Sequence, residues 1–131
     1  MCIRDSTETA KLLLDHGANV NMQKNNGHSA LMISSENGHT ETAKLLLDHG
    51  ANINMQNNNG TSALMISSQN GHTETAKLLL DHDANVNMQE NNGRSALMSS
   101  SRKGHTETAK LLLDHGAVSY THLTLPTIYS V

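Results

Sequence analysis

Between Thr7 and Ala117 the chain has no aromatic residue, no proline and no cysteine. The whole 131-residue sequence lacks tryptophan and phenylalanine, and Cys2, Tyr120, Pro126 and Tyr129 all lie in the flanks. A single cysteine cannot close an intramolecular disulfide or supply a thiolate zinc cluster. Any core must therefore come from Leu, Ile, Val, Met and Ala. No apolar run approaches the roughly 20 residues that cross a bilayer, and the first residues carry no apolar stretch of signal-peptide type. Net charge is -3 with no basic tract, which argues against nucleic acid as the main partner. Membrane insertion is not expected, and an intracellular, cytoplasmic setting is.

What the chain has is repetition. The phrase TETAKLLLDHGAN begins at Thr7, Thr40, Thr73 (with Asp83 for its glycine) and, cut off after HGA, at Thr106, each start 33 residues after the last. A fixed period of this length is the mark of a stacked-repeat protein. Each unit is too small to bury its own apolar face and must pack on its neighbours, giving an elongated array. The expected organisation is a half unit over 7–23, full units over 24–56 and 57–89, and a truncated unit over 90–117.

One unit reads as follows. Asn25-Asn26-Gly27 is a turn signal, Gly27 being free to take φ > 0. Ser29 is placed to N-cap a short helix from Ala30 to about Glu36, which Asn37-Gly38 stops. A second helix is expected from about Thr40 to His49, with Ala43, Leu46 and Leu47 forming one apolar stripe at i, i+3, i+4. Lys44 and Asp48 fall on its exposed side. Gly50 follows as the left-handed residue after the helix, and Ala51-Asn52-Ile53-Asn54-Met55 is expected to run extended into the next turn.

Gly27, Ser29-Ala30-Leu31, Gly38-His39, Glu41, Lys44-Leu45-Leu46-Leu47 and Gly50-Ala51-Asn52-Ile53-Asn54 together resemble the ankyrin repeat, in phase across all of residues 7–117. The resemblance implies an all-α repeat solenoid of stacked helix-turn-helix units with β-hairpin-like fingers. It also implies protein–protein binding on the face formed by the fingers and first helices. Four departures point to a marginally stable array. Ala30, Ala63 and Ala96 replace the family proline that presets φ at the helix start. Met32, Met65 and Met98 replace the family histidine that ties neighbouring loops, and methionine fills space without that hydrogen bond. Ser34-Ser35, Ser67-Ser68 and Ser100-Ser101 replace a small alanine pair, so their hydroxyls need partners, such as carbonyls one turn earlier. Thr42-Ala43 stands where a bulkier aliphatic pair is usual.

The copies differ in seven columns. Val20/Ile53/Val86 is conservative. Gly17/Gly50/Asp83/Gly116 puts Asp83 where φ > 0 is expected. Ile33/Ile66/Ser99 places a hydroxyl on a helix-1 site, and if that column is buried the loss is about 2–4 kcal/mol, making unit 90–117 the weakest. The other four columns fall at the finger tip or the end of helix 1: Lys24/Asn57/Glu90, His28/Thr61/Arg94, Glu36/Gln69/Arg102 and Asn37/Asn70/Lys103. These twelve residues are the candidate protein-binding positions. Charge grades along them, from Glu36 in the first full unit to Arg94, Arg102 and Lys103 in the last. Two explanations fit: a graded ligand surface, or drift at exposed sites, which diverge first whatever they do.

No catalytic residue, metal or cofactor is expected. His16, His49, His82 and His115 recur once per unit, but stacked units lie about 10 Å apart, too far for a shared ion whose ligands sit at about 2 Å. A histidine near a helix C-terminus instead suits the dipole when charged. His39, His72 and His105 match the family's Gly-His and are expected to be structural. There is no G-x-S-x-G, no phosphate-cradling loop and no H-E-x-x-H. Asn59-Gly60-Thr61 is a glycosylation sequon on a finger.

The flanks MCIRDS (1–6) and VSYTHLTLPTIYSV (118–131) share nothing with the repeat and resemble translated sequencing-library adapter. Ser6 stands where His39, His72 and His105 stand in other units, and Ala117 aligns with Ala51. Both junction codons fit that origin. Terminal segments of this kind are set aside in fold reasoning, and the working protein is expected to extend beyond both ends. The function expected is a protein–protein interaction module and not an enzyme. The alternative is the non-catalytic recognition or scaffolding arm of a larger signalling enzyme. Uncapped array ends add an expectation of self-association.

Overall fold

The computed structural model describes residues 11–117; the two adapter-like segments, 1–6 and 118–131, lie outside the described residues. Residues 11–15 are helical. Six complete helices follow: α1 Ala30–Glu36, α2 Thr40–Asp48, α3 Ala63–Gln69, α4 Thr73–Asp81, α5 Ala96–Arg102 and α6 Thr106–Asp114. Odd-numbered helices pack in one row and even-numbered helices in a second, and the two helices of each unit pack on each other. The described residues contain no sheet, only single antiparallel pairings of Gln23 with Ser29, Gln56 with Ser62 and Gln89 with Ser95 at the base of each finger.

Local chemistry sets the helix bounds. The hydroxyls of Ser29, Ser62 and Ser95 accept from the backbone N–H of Met32, Met65 and Met98, so each first helix starts where the sequence placed it. Each second helix has no side-chain cap but carries Glu41, Glu74 or Glu107 in its first turn, where a carboxylate favours the dipole. It ends one residue earlier than expected, with His49, His82 and His115 at the cap. Asp83 has φ +68°, the only non-glycine residue in the left-handed region among the described residues.

The stretch after helix 2 differs from the expectation. Residues 51–55 are not extended: Met55 N–H donates to the Asn52 carbonyl at 3.3 Å, and Asn54 N–H donates to Asn52 Oδ1 at 3.1 Å. The same side-chain bond forms at Asn19–Asn21 and Asn85–Asn87. Asparagine closes such turns on its own backbone, and that local bond competes with the extended form.

The core is a strip of small and aliphatic side chains: Leu31, Met32, Ala43 and Leu46 in the first full unit, Leu64, Met65, Ala76, Leu79 and Leu80 in the second, Ala96, Leu97 and Leu112 in the third. Ala43 and Leu46 of the expected stripe are buried, and Leu47 packs against the core half-buried. The serine pairs divide. Ser34, Ser67 and Ser100 donate to the carbonyls of Leu31, Leu64 and Leu97, each at 3.1 Å. Ser35 and Ser68 are fully buried, and their hydroxyls have no partner among the described residues. Each orphaned hydroxyl costs about 1–3 kcal/mol.

Burial along the Ile33/Ile66/Ser99 column depends on what precedes each unit. Ile33 is 37% exposed, Ile66 8% and Ser99 5%, so the site is sealed once a complete unit stands before it. Ser99 therefore occupies a buried aliphatic site. Two outcomes follow. Ile66→Ser should lower stability by about 2–4 kcal/mol, and amides of α5 should exchange faster than those of α3 in the parent chain; equal protection would contradict this. Asp83→Gly should raise the urea midpoint by the equivalent of about 1 kcal/mol.

Candidate functional site

Between the fingers and the row of first helices lies an open groove of about 480 Å³. Eight of the twelve candidate positions line it: His28, Glu36, Asn57, Thr61, Gln69, Asn70, Glu90 and Arg94. Units 24–56, 57–89 and 90–117 all contribute. Lys24, Asn37, Arg102 and Lys103 do not line it; they are exposed at the finger tip or at the end of helix 1. Asn59, Ile66, Asn91 and Asn92 also form the wall. Sequence reading passed over the three asparagines because they do not vary among the units.

The groove is polar and carries both signs of charge. Glu36 contributes a carboxylate from the end of α1 and Arg94 a guanidinium from the third finger. Thr61 Oγ1 donates to Glu90 Oε2 at 2.9 Å, joining neighbouring fingers through two variable columns. This bond also occupies the hydroxyl of the sequon's Thr61, which is buried. His28 Nδ1 is buried and has no hydrogen-bond partner among the described residues.

Invariant polar side chains hold the groove's walls in register. Asn58 N–H donates to the Asn26 carbonyl at 3.1 Å, and Asn91 N–H to that of Asn59 at 2.9 Å. Asn58 Nδ2 donates to the Asn25 carbonyl and Asn91 Nδ2 to that of Asn58, both at 3.0 Å. Gln23 Nε2 spans its own finger to the Gly27 carbonyl at 2.6 Å and reaches the Gln56 carbonyl of the next unit at 3.2 Å. Gln56 repeats both bonds with Gly60 and Gln89. Lower in the fingers, Asn52 N–H donates to Asn21 Oδ1 at 2.7 Å and Asn85 N–H to Asn54 Oδ1 at 2.9 Å. These amides tie neighbouring loops in a chain where methionine replaces the family's loop-tying histidine.

Two further ties secure the helices. Thr40 and Thr75 hydroxyls meet at 2.7 Å, and Thr73 and Thr108 at 2.8 Å. Thr75 and Thr108 are buried, so the threonine that replaces an aliphatic residue in helix 2 is satisfied across the unit boundary. His72 Nε2 lies 3.0 Å from the Glu36 carbonyl, and Asn70 Nδ2 donates to the same oxygen at 3.3 Å. The His72 ring packs against Gly38, where an added Cβ would come within 2.8 Å of it; His105 packs the same way on Gly71.

The other histidine series is a capping device. Nδ1 of His16, His49, His82 and His115 bonds the carbonyl four residues earlier at 2.8–3.0 Å. His49 Nε2 also lies 3.4 Å from Asp15 Oδ1 of the preceding unit. On the solvent face, Lys77 and Asp81 pair at 3.3 Å, a contact worth a few tenths of a kcal/mol, about 0.3–0.5.

A family model described as ankyrin repeats, in three copies, matches residues 1–57 and 50–122. The chain belongs to the ankyrin-repeat family. Repeats of this kind are in general protein-interaction modules and typically non-catalytic. A search of curated proteins found no match. No helix among the described residues is long and apolar enough to cross a membrane.

The glycine–histidine packing has a direct test. Gly38 and Gly50 both have positive φ, +71° and +89°, but a Cβ on Gly50 would meet nothing within 4 Å. Gly50→Ala should cost about 1 kcal/mol from backbone strain alone. Gly38→Ala should cost clearly more, because it also displaces His72. Equal losses in urea titrations would show that the histidine contact contributes nothing.

Proposed function

We propose that the chain is the partner-binding portion of a larger repeat protein, and that another protein lies along the groove across units 24–56, 57–89 and 90–117. What supports this reading is a contrast between columns. Most of the residues that fix inter-unit register are the same in each unit, whereas eight of the variable positions line one cavity. Drift at exposed sites would scatter variation over the solvent faces of the second helices as well. There the helices from Thr40, Thr73 and Thr106 read TETAKLLLD without change.

The charge along the groove gives the partner an orientation. Glu36 favours a cationic group over the first full unit. Arg94 of the third finger, with Arg102 and Lys103 exposed at the end of α5, favours carboxylates over the last, where the Glu90 carboxylate accepts from the Thr61 hydroxyl. Complementary charge of this kind sets register and encounter rate more than total affinity. The asparagine and glutamine side chains between them offer both donors and acceptors to a partner's backbone.

Reversing Arg94, Arg102 and Lys103 to Glu should weaken binding of a partner captured with the parent protein roughly tenfold, taking about 0.5 kcal/mol for each charge. The affinity should also depend less on salt. Calorimetric titration at two ionic strengths measures both. Unchanged affinity and salt slope would refute the proposal.

A further inference from the structure

Asparagine precedes glycine at Asn26, Asn37, Asn59, Asn70 and Asn92. Glycine has no β-carbon to screen its amide nitrogen, so each pair sets a nucleophile beside a carboxamide carbon. The structure holds these carboxamides differently. Asn37 Nδ2 donates to the Ile33 carbonyl at 3.1 Å and Asn70 Nδ2 to that of Glu36 at 3.3 Å. Asn26 Oδ1 accepts from the His28 N–H and Asn92 Oδ1 from the Arg94 N–H, both at 3.0 Å. Asn59 is the exception. Its carboxamide makes no hydrogen bond among the described residues, and it is exposed on the wall of the groove.

The cause lies in a variable column. Where the first and third fingers carry Lys24 and Glu90, the second carries Asn57, whose Oδ1 accepts from Asn59 N–H at 2.9 Å and from Thr61 N–H at 3.0 Å. Thr61 N–H is the donor that Asn59 Oδ1 would otherwise take, as Asn26 and Asn92 take theirs. The backbone of the first two fingers is alike. Gly27 and Gly60 donate to the carbonyls of Lys24 and Asn57 at 2.8 and 2.9 Å, and both are buried against the next finger. Asn26 is therefore the matched comparison for Asn59. Gly93 has no finger packed on it, so Asn92 is not.

We propose that Asn59 is a self-modification site, at which the folded chain converts asparagine to aspartate or isoaspartate. The Gly60 nitrogen bonds to Asn59 Cγ, the Cγ–Nδ2 bond breaks, and the Gly60 N–H proton leaves with Nδ2 as ammonia. Water, the only co-reactant, then opens the cyclic imide. Attack at Cγ gives aspartate; attack at the main-chain carbonyl carbon gives isoaspartate, whose backbone runs through Cβ and Cγ. Either product places a carboxylate in the groove that Glu90 and Arg94 also line. In isoaspartate that carboxylate is the former Asn59 carbonyl, which accepts from Asn91 N–H of the third finger at 2.9 Å. The added backbone carbon also displaces Gly60, whose carbonyl holds Gln56 Nε2 at 2.6 Å. Modification thus loosens the tie between the second and third fingers, whether or not the groove is occupied.

Peptide mapping by mass spectrometry of the full chain, incubated at mildly alkaline pH, tests this. Amide-to-acid conversion at Asn59 should outpace that at Asn26 about fivefold, the rate equivalent of a hydrogen bond of about 1 kcal/mol. Asn57→Lys restores the first finger's residue and should bring Asn59 down to the rate of Asn26. In denaturing urea, where both Asn-Asn-Gly segments lose their turns, the two rates should converge. Equal rates in the folded parent, or a difference that survives in urea, would overturn the proposal. So would an Asn57→Lys chain of parental helix content in which Asn59 reacts as fast as before. If that variant loses helix content, the parent's folded and denatured rates decide. Hydrogen exchange on the purified isoaspartate form reads the consequence: the Asn91 amide should lose protection, and unchanged protection would refute the loosening.

Discussion

Met65 is buried because a third unit stands against it, and Ile66 because a first unit precedes it. The same residue types at the ends of the array are open to water. This completion of each core by its neighbours governs the rest of the molecule. A unit of 33 residues with no aromatic side chain has too little apolar surface to offset its own ordering entropy. The boundary between units therefore carries what an interior carries in a larger domain, including buried threonine pairs and stacked glycine–histidine contacts.

Hydrogen bonding supplies the register that aliphatic contacts lack. Leucine and methionine pack tolerantly, but a carboxamide that must reach a carbonyl in the next finger accepts few positions. The Asn25/Asn58/Asn91 and Gln23/Gln56/Gln89 series make that demand at every boundary, and the threonine pairs repeat it in the second helices. The orphaned hydroxyls of Ser35 and Ser68 act in the opposite direction. Polar groups inside the stack therefore act on its stability in both directions, on top of the apolar burial.

Much of this architecture was legible in the sequence. The period gave the unit, Ser29 and Gly38 gave the bounds of helix 1, and the Ala43–Leu46 spacing gave the buried face of helix 2. Two features were not legible, for a physical reason. The turn at Asn52–Met55 depends on a local side-chain bond that competes with an extended strand, and pattern alone does not rank the two. The asparagine and threonine ties depend on the distance between units, which no single unit encodes. The variable columns pointed to a face, but eight of their twelve residues form its groove, with invariant Asn59, Asn91 and Asn92 between them.

Near-identity of the units has a consequence for specificity. When every boundary is made by the same residues, no boundary distinguishes its proper neighbour from another copy of it, and the framework encodes order along the chain only through connectivity. The variable positions are then the sole sites where one unit differs from the next, and eight of the twelve at the finger tips and helix-1 ends line the groove. Ser99 and Asp83 lie outside it, and both impose a structural penalty: one leaves a buried aliphatic site underfilled, the other holds a β-carbon at φ +68°. Both fall from the end of the second full unit onward, so these penalties gather toward the unit that contributes Glu90 and Arg94 to the groove. Opening of that end would remove both Glu90 and Arg94 from the groove while Glu36 stayed in place, so local opening there would change the groove's shape and its charge pattern together.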